Sequence, residues 1–202
     1  MRWEDKDYVL RLIQEFGRFM RALRDAASDE LRRALLDRQC RSACGLSLRA
    51  ADGLAEASLL DMLSGEARLS MALLLSARAE AASNTEAERT AHRRRALRLL
   101  LACREEDAVC EALAEELDSL MRGALDALTA QELMDCALFL RDGGRMDLMD
   151  NAVFFLWDTL PDRAAWRDRL SALYEGLTEQ ALAACGMSPA DVADSLNRLQ
   201  RN

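Results

Sequence analysis

The chain has 202 residues, half of them hydrophobic and 31% charged, with a formal net charge of −8. That length supports one sizeable core, and no flexible linker divides it. The acidic balance opposes phosphate backbones and so argues against nucleic acid; no apolar run is long enough to span a bilayer, and the charged start Met1-Arg2-Trp3-Glu4-Asp5-Lys6-Asp7 lacks a signal-peptide segment.

In chain order, residues 8–23 predict a long helix with Val9, Ile13, Phe16, Met20 and Leu23 on one side and Arg11, Arg18 and Arg21 on the other. Cys44-Gly45-Leu46 and Leu63-Ser64-Gly65 mark breaks around a shorter helical piece. Leu69, Leu73, Ala77 and Ala81 then follow helical spacing up to a break at Ser83-Asn84-Thr85. A further helix resumes from Glu86 with Ala87, Ala91, Leu97 and Leu101, capped by Thr85 with Glu88. An amphipathic helix follows, with Val109, Leu113, Leu117, Leu120, Ala124 and Leu128 opposite Glu111, Glu115, Asp118 and Arg122. Its acidic start, Glu105-Glu106-Asp107, suits the positive end of a helix dipole.

Thr129 and Glu132 have capping-box spacing, and Leu133, Cys136, Ala137 and Leu140 form the inward stripe of the helix they open. Gly143 and Gly144 should end it through the left-handed conformation. A second helix from Asp147 carries Leu148, Met149, Ala152, Val153, Leu156 and Leu160 up to Pro161. Residues 152–157 are apolar all round, which predicts burial between the 131–141 helix and C-terminal helices near Trp166 and Tyr174. Ser188-Pro189-Ala190-Asp191 opens a last helix ending near Leu199. Strand-type alternation is missing and there are only two prolines, so the chain is expected to be all-α.

The 133–161 hairpin resembles a degenerate tetratricopeptide repeat, with Ala137 as the small residue between the helices, Gly144 in the turn and Pro161 at the close. Leu133 stands where that repeat usually has Trp, Leu140 where it has Tyr, and Met149 where it has a small residue. The whole chain resembles an uncharacterised family of small all-helical, tetratricopeptide-like proteins from Gram-positive gut bacteria. The resemblance rests on Asp7-Tyr8 with Arg11, Ile13 and Phe16, the leucine-rich 46–63 piece, Ala96-Leu97, the Gly144 hairpin with Phe154-Phe155-Leu156, and the 186–191 turn. It implies a right-handed array of antiparallel helical hairpins in one domain, 1–202. Within it, 1–66 would form an N-terminal helical cap, 67–161 the degenerate hairpins and 162–202 the C-terminal helices. The family carries no established activity, so no catalytic residue transfers.

Function is narrowed mainly by what is missing. Six cysteines in a large helical chain without a signal segment suggest reduced thiols and a cytoplasmic setting. Cys40 and Cys44 share one helix face as half a metal site, but a structural zinc needs four ligands, so no metal or cofactor is expected. His92, the single histidine, stands beside Arg93, Arg94 and Arg95, whose charges oppose its protonation; it reads as a solvated surface residue. Nucleophile elbows, phosphate-cradling glycine loops and Glu-x-x-His pairs are absent, so the chain is expected not to be an enzyme.

Arg89, Arg93, Arg94, Arg95 and Arg98 form a basic cluster, expected to pair with the Glu-rich helix at 105–118 or else to dock an acidic peptide. The expected task is binding a protein or peptide on the concave face lined by the first helix of each hairpin, with Arg78, Glu80, Gln131, Asp135 and Arg141 as contact residues. A second copy of the chain is another open partner. The alternative is a peripheral membrane-surface protein: Arg11, Arg18, Arg21 and Arg24 against Glu15 give residues 8–24 a charge of +3 opposite Phe16, Phe19 and Met20. Capping of the array by that helix is the favoured reading.

Overall fold

Each regular element is a helix, and most begin where a hydroxyl side chain satisfies the free N–H groups of a first turn. The computed structural model describes residues 6–81, 84–105 and 107–201. The charged start at 1–5, the Tyr8 side chain, Ser83 of the expected break and Glu106 of the expected acidic helix start lie outside the described residues. The helices are α1 (Lys6–Asp25), α2 (Asp29–Cys44), α3 (Leu48–Gly53), α4 (Glu56–Met62), α5 (Gly65–Ala79) and α6 (Glu86–Leu101). They continue as α7 (Asp107–Gly123), α8 (Ala130–Asp142), α9 (Met146–Thr159), α10 (Ala164–Ser171), α11 (Glu179–Ala184) and α12 (Pro189–Gln200). No strand occurs among the described residues, so the chain is all-helical.

All three predicted caps form: Thr85 with Glu88, Thr129 with Glu132, and Ser188 with Asp191 bond reciprocally, and Pro189 takes the first turn of α12. Helix α2 is an element the apolar spacing does not reveal, because only Leu36 and Cys40 along it are buried. Its signals are local: Ser28 accepts from Leu31 N at 3.2 Å, and Gly45 closes it at φ 68°. The shorter piece between the two breaks is two helices, α3 and α4, whose last carbonyls are taken by arginines from elsewhere. Arg95 donates to Ala51 O and Leu54 O, both at 2.7 Å, and Arg68 to Leu60 O and Leu63 O at 2.9 and 3.2 Å.

Packing runs helix to neighbouring helix. The most extensive contacts are α5 with α6 and α8 with α9, followed by α7 with α8, α2 with α5, and α6 with α7. Helix α5 lies between α2 and α6, and Leu69, Met71, Leu74 and Leu75 are all buried. Helix α1 packs on α7 and α2. Val9 and Leu23 are buried there, while Ile13, Phe16, Phe19 and Met20 lie half-buried against the core.

Four expectations are corrected. Helix α7 is kinked at Leu113 (φ −121°, ψ 16°) and stops at Gly123, short of Leu128. There the Arg93 side chain crosses Gly123 so closely that a Cβ would lie 2.6 Å from it, and it takes the Gly123 carbonyl at 3.3 Å. Ala87 and Ala91 are exposed, because the buried part of α6 is its second half, Ala96 to Leu100. Gly144 alone of the two turn glycines is left-handed, at φ 73°. Gly143, at φ −77°, is required instead by close approach, since a Cβ there would lie 2.5 Å from the Cys110 carbonyl oxygen. Finally, α9 is not buried on all sides: Phe154 and Phe155 are half-buried, and Arg198 and Arg122 cover them at 3.9 and 5.1 Å from the ring centres. No described helix is long and apolar enough to cross a membrane.

Candidate functional site

The basic cluster of α6 is the densest charge feature of the sequence, and the fold engages every member of it. Arg94 donates to both carboxylate oxygens of Glu132, at 3.3 and 3.1 Å. Arg98, one turn on, adds a bond from Nε to Glu132 Oε1 and holds Glu56 with Nη1 at 2.9 and 3.0 Å. Arg93 binds Glu80 at 2.9 Å, Arg89 binds Glu86 at 2.9 Å, and Arg95 holds the end of α3. The expected pairing with the 105–118 helix is therefore wrong. Arg94 and Arg98 face the start of α8 and α4, whereas α7 spends Glu115 on Arg145, Asp118 on Arg122 and Glu116 on Ser76.

Glu132 is the centre of this network. One oxygen closes the α8 cap by accepting from Thr129 N at 2.7 Å and from Thr129 Oγ1 at 2.8 Å; the other receives both arginines. Burial would raise its pKa, but Arg94, the Thr129 N–H and Arg98 outweigh that and hold it at about 2. The single histidine is half-buried rather than solvated. Burial first, then the Arg78 charge, holds the imidazole below its ordinary range.

The five expected contact residues are divided among separate places. Arg78 ion-pairs with Asp52 beside α3, and Glu80 with Arg93 of α6. Gln131 and Asp135 are brought together on the outer stripe of α8, where Gln131 donates to Asp135 at 2.9 Å and accepts from Arg169 at 3.2 Å. Arg141 is engaged elsewhere and donates to Glu175 O at 2.7 Å. Helix α5 is covered by α2, so the first helices of the two pairs do not share one open face.

What lies open beside Asp135 is a groove of about 680 Å³. Asp135 and Asp142 of α8 form one wall, and Arg104 and Glu105, between α6 and α7, with Asp107 at the start of α7, form the other, over Leu101. Arg104 is bound to Asp142 at 2.7 Å, which leaves the groove strongly negative. Asp142 and Arg104 are wall residues that the sequence reading missed; Asp142 stands seven residues after Asp135, two turns along the same helix face.

All six cysteines are free thiols. The Cys44 thiol is within hydrogen-bond reach of Cys40, which lowers the Cys40 pKa and, together with burial, raises that of Cys44. Among the described residues no group of three or more His, Cys, Asp or Glu side chains is placed to hold a metal ion. The fold thus defines the class, an all-helical protein built by serial packing of helix pairs. No family model, curated protein or solved structure matches the chain.

Proposed function

We propose that this is a non-enzymatic, cytoplasmic module of tetratricopeptide-like build, a right-handed array of antiparallel hairpins, that binds a basic segment of another protein. The observation that carries the reading is the groove along Asp135 and Asp142, open, about 680 Å³ in volume and negative on both walls. A Lys- or Arg-rich segment would find carboxylates on either side and a leucine floor for its aliphatic stems. The pairing of α5 with α6 and α8 with α9, and the resemblance to bacterial tetratricopeptide-like proteins, support the build. Six free thiols suit a reducing compartment. The membrane-surface alternative is less favoured, because the apolar side of α1 already lies against α7 and α2.

Affinity capture from the native host with the wild-type chain and with an Asp135→Lys, Asp142→Lys variant tests the reading. A partner identified by mass spectrometry should be retained by the first and lost by the second, and its binding should weaken with salt. A partner held equally by both would place the interface elsewhere.

A further inference from the structure

A second recess, unrelated to the acidic groove, lies where α1, α2, α3 and the end of α5 meet. It has two adjoining lobes, of about 270 and 340 Å³, which share Arg32, Leu36 and Ala81 as a common wall. The larger lobe is mostly apolar, formed by Met20 and Leu23 of α1, Leu36 of α2 and Ala77 of α5, with Arg24 at its edge. The smaller lobe, whose open surface is also mostly apolar, carries the guanidinium groups of Arg33 on α2 and Arg49 on α3, beside Leu48.

The charges of this recess look balanced until each carboxylate is assigned. Asp29 is held by Arg32 at 3.0 Å, and Asp37 by Arg41 at 2.8 Å and by Leu48 N at 2.7 Å. Asp52 is bound by Arg78, and Glu80 is engaged by Arg93 at 2.9 Å. Every acid lining the two lobes therefore has its cation. Arg24, Arg33 and Arg49 are exposed and take no carboxylate among the described residues. The recess thus combines an apolar trough with unneutralised guanidinium groups, inside a chain whose overall charge is negative.

We propose that this recess binds an anionic amphiphile, a medium-length hydrocarbon chain ending in one carboxylate. The tail lies in the larger lobe against Met20, Leu23 and Leu36, and the head sits between Arg33 and Arg49. A planar guanidinium matches a carboxylate with two parallel hydrogen bonds, and two guanidiniums fix the head without the cost of separating an existing ion pair. The lobe volumes lie at the small end of the range for ligand pockets, which suits a free acid rather than a two-chain lipid.

Decanoate below its micellar concentration is the probe, measured by calorimetry on the full chain. Saturable one-to-one binding is expected, with decanol and acetate each at least tenfold weaker, because tail and head contribute together. The Arg33→Ala, Arg49→Ala double variant should melt like the wild type and bind decanoate at least tenfold less tightly. Vesicles with and without anionic phospholipid form the second arm. Capture of the chain by anionic vesicles without decanoate binding would overturn the proposal in favour of membrane docking. Equal affinity of the wild type and the double variant, or of decanoate and decanol, would overturn it as well.

Discussion

Replacing Glu132 by Gln is the most informative single change, because it removes a charge while leaving a side chain able to serve the Thr129 cap. The Glu132 side chain is 11% exposed, and its partners Arg94 and Arg98 are 32% and 33% exposed. A carboxyl held at about 2 in the folded chain, against 4.5 for an ordinary Glu, corresponds to about 3 kcal/mol of linked stability. Because the folded value is the lower one, that stability is present in full above about pH 4.5 and is lost as the pH falls toward 2. The arginines retain some hydration and Arg98 keeps Glu56, so the loss in the variant at neutral pH should be about 2–3 kcal/mol, below the figure for a fully buried pair. In a chain of this size that lowers the melting temperature by about 5–10 °C. Circular dichroism melts at neutral pH and in successive steps down to pH 2.5 read the difference. The two proteins should differ most at neutral pH and converge in acid. A variant as stable as the wild type, or a gap constant across pH, would refute the ion network as a source of stability.

Three further outcomes follow from the packing. Gly143→Ala should cost about 2–4 kcal/mol, because its Cβ meets the Cys110 backbone, whereas Gly144→Ala, left-handed but in open space, should cost about 1–2 kcal/mol; thermal melts in the reverse order would contradict the close approach of α7 to the α8 end. Asp150→Ala leaves the hydroxyls of Tyr174 and Ser195, which donate to it at 2.6 and 2.7 Å, without their acceptor, and should cost about 2–4 kcal/mol, with hydrogen exchange rising first in α12. Leu156→Asp, fully buried, should unfold the chain, while Phe154→Asp, half-buried beneath Arg198, should cost only about 1–2 kcal/mol; equal loss of the helical signal in both would restore the expectation of an all-round buried α9.

The parts of the fold that were legible are those written within a few residues. The Thr85, Thr129 and Ser188 caps depend on partners three positions away, and Gly144 and Pro161 mark their breaks without reference to the rest of the chain. Helix α2 escaped because periodicity reports burial, and a helix with two buried residues has little of it, although Ser28-Asp29-Glu30 and Gly45 frame it. The end of α7 at Gly123 depends on Arg93, thirty residues earlier, and the need for Gly143 depends on Cys110. Neither is visible to local spacing. The aromatic face of α9 misled for a related reason: Phe154 and Phe155 are covered by the guanidiniums of Arg198 and Arg122, a cover that apolar counting does not register.

Charge along the sequence is subject to the same limit. Positive charge is densest along the sequence on α6, where Arg94 and Arg98 reach Glu132 thirty-eight and thirty-four positions on and Arg98 also reaches Glu56 forty-two positions back. A cluster that dense is accommodated in an acidic fold because Glu80, Glu132 and Glu56, from other parts of the chain, pair with Arg93, Arg94 and Arg98, which leaves less of its charge to a ligand. Arg33 and Arg49 show the converse. Each stands close in sequence to an aspartate and so looks neutralised, yet Asp29, Asp37 and Asp52 bond to Arg32, Arg41 and Arg78. What a surface offers to a ligand is the charge left after internal pairing. In this chain that remainder is positive around the α1–α2–α3 recess and negative at Asp135, Glu105 and Asp107, since Asp142 is paired with Arg104, so the two proposed ligand sites carry opposite charge.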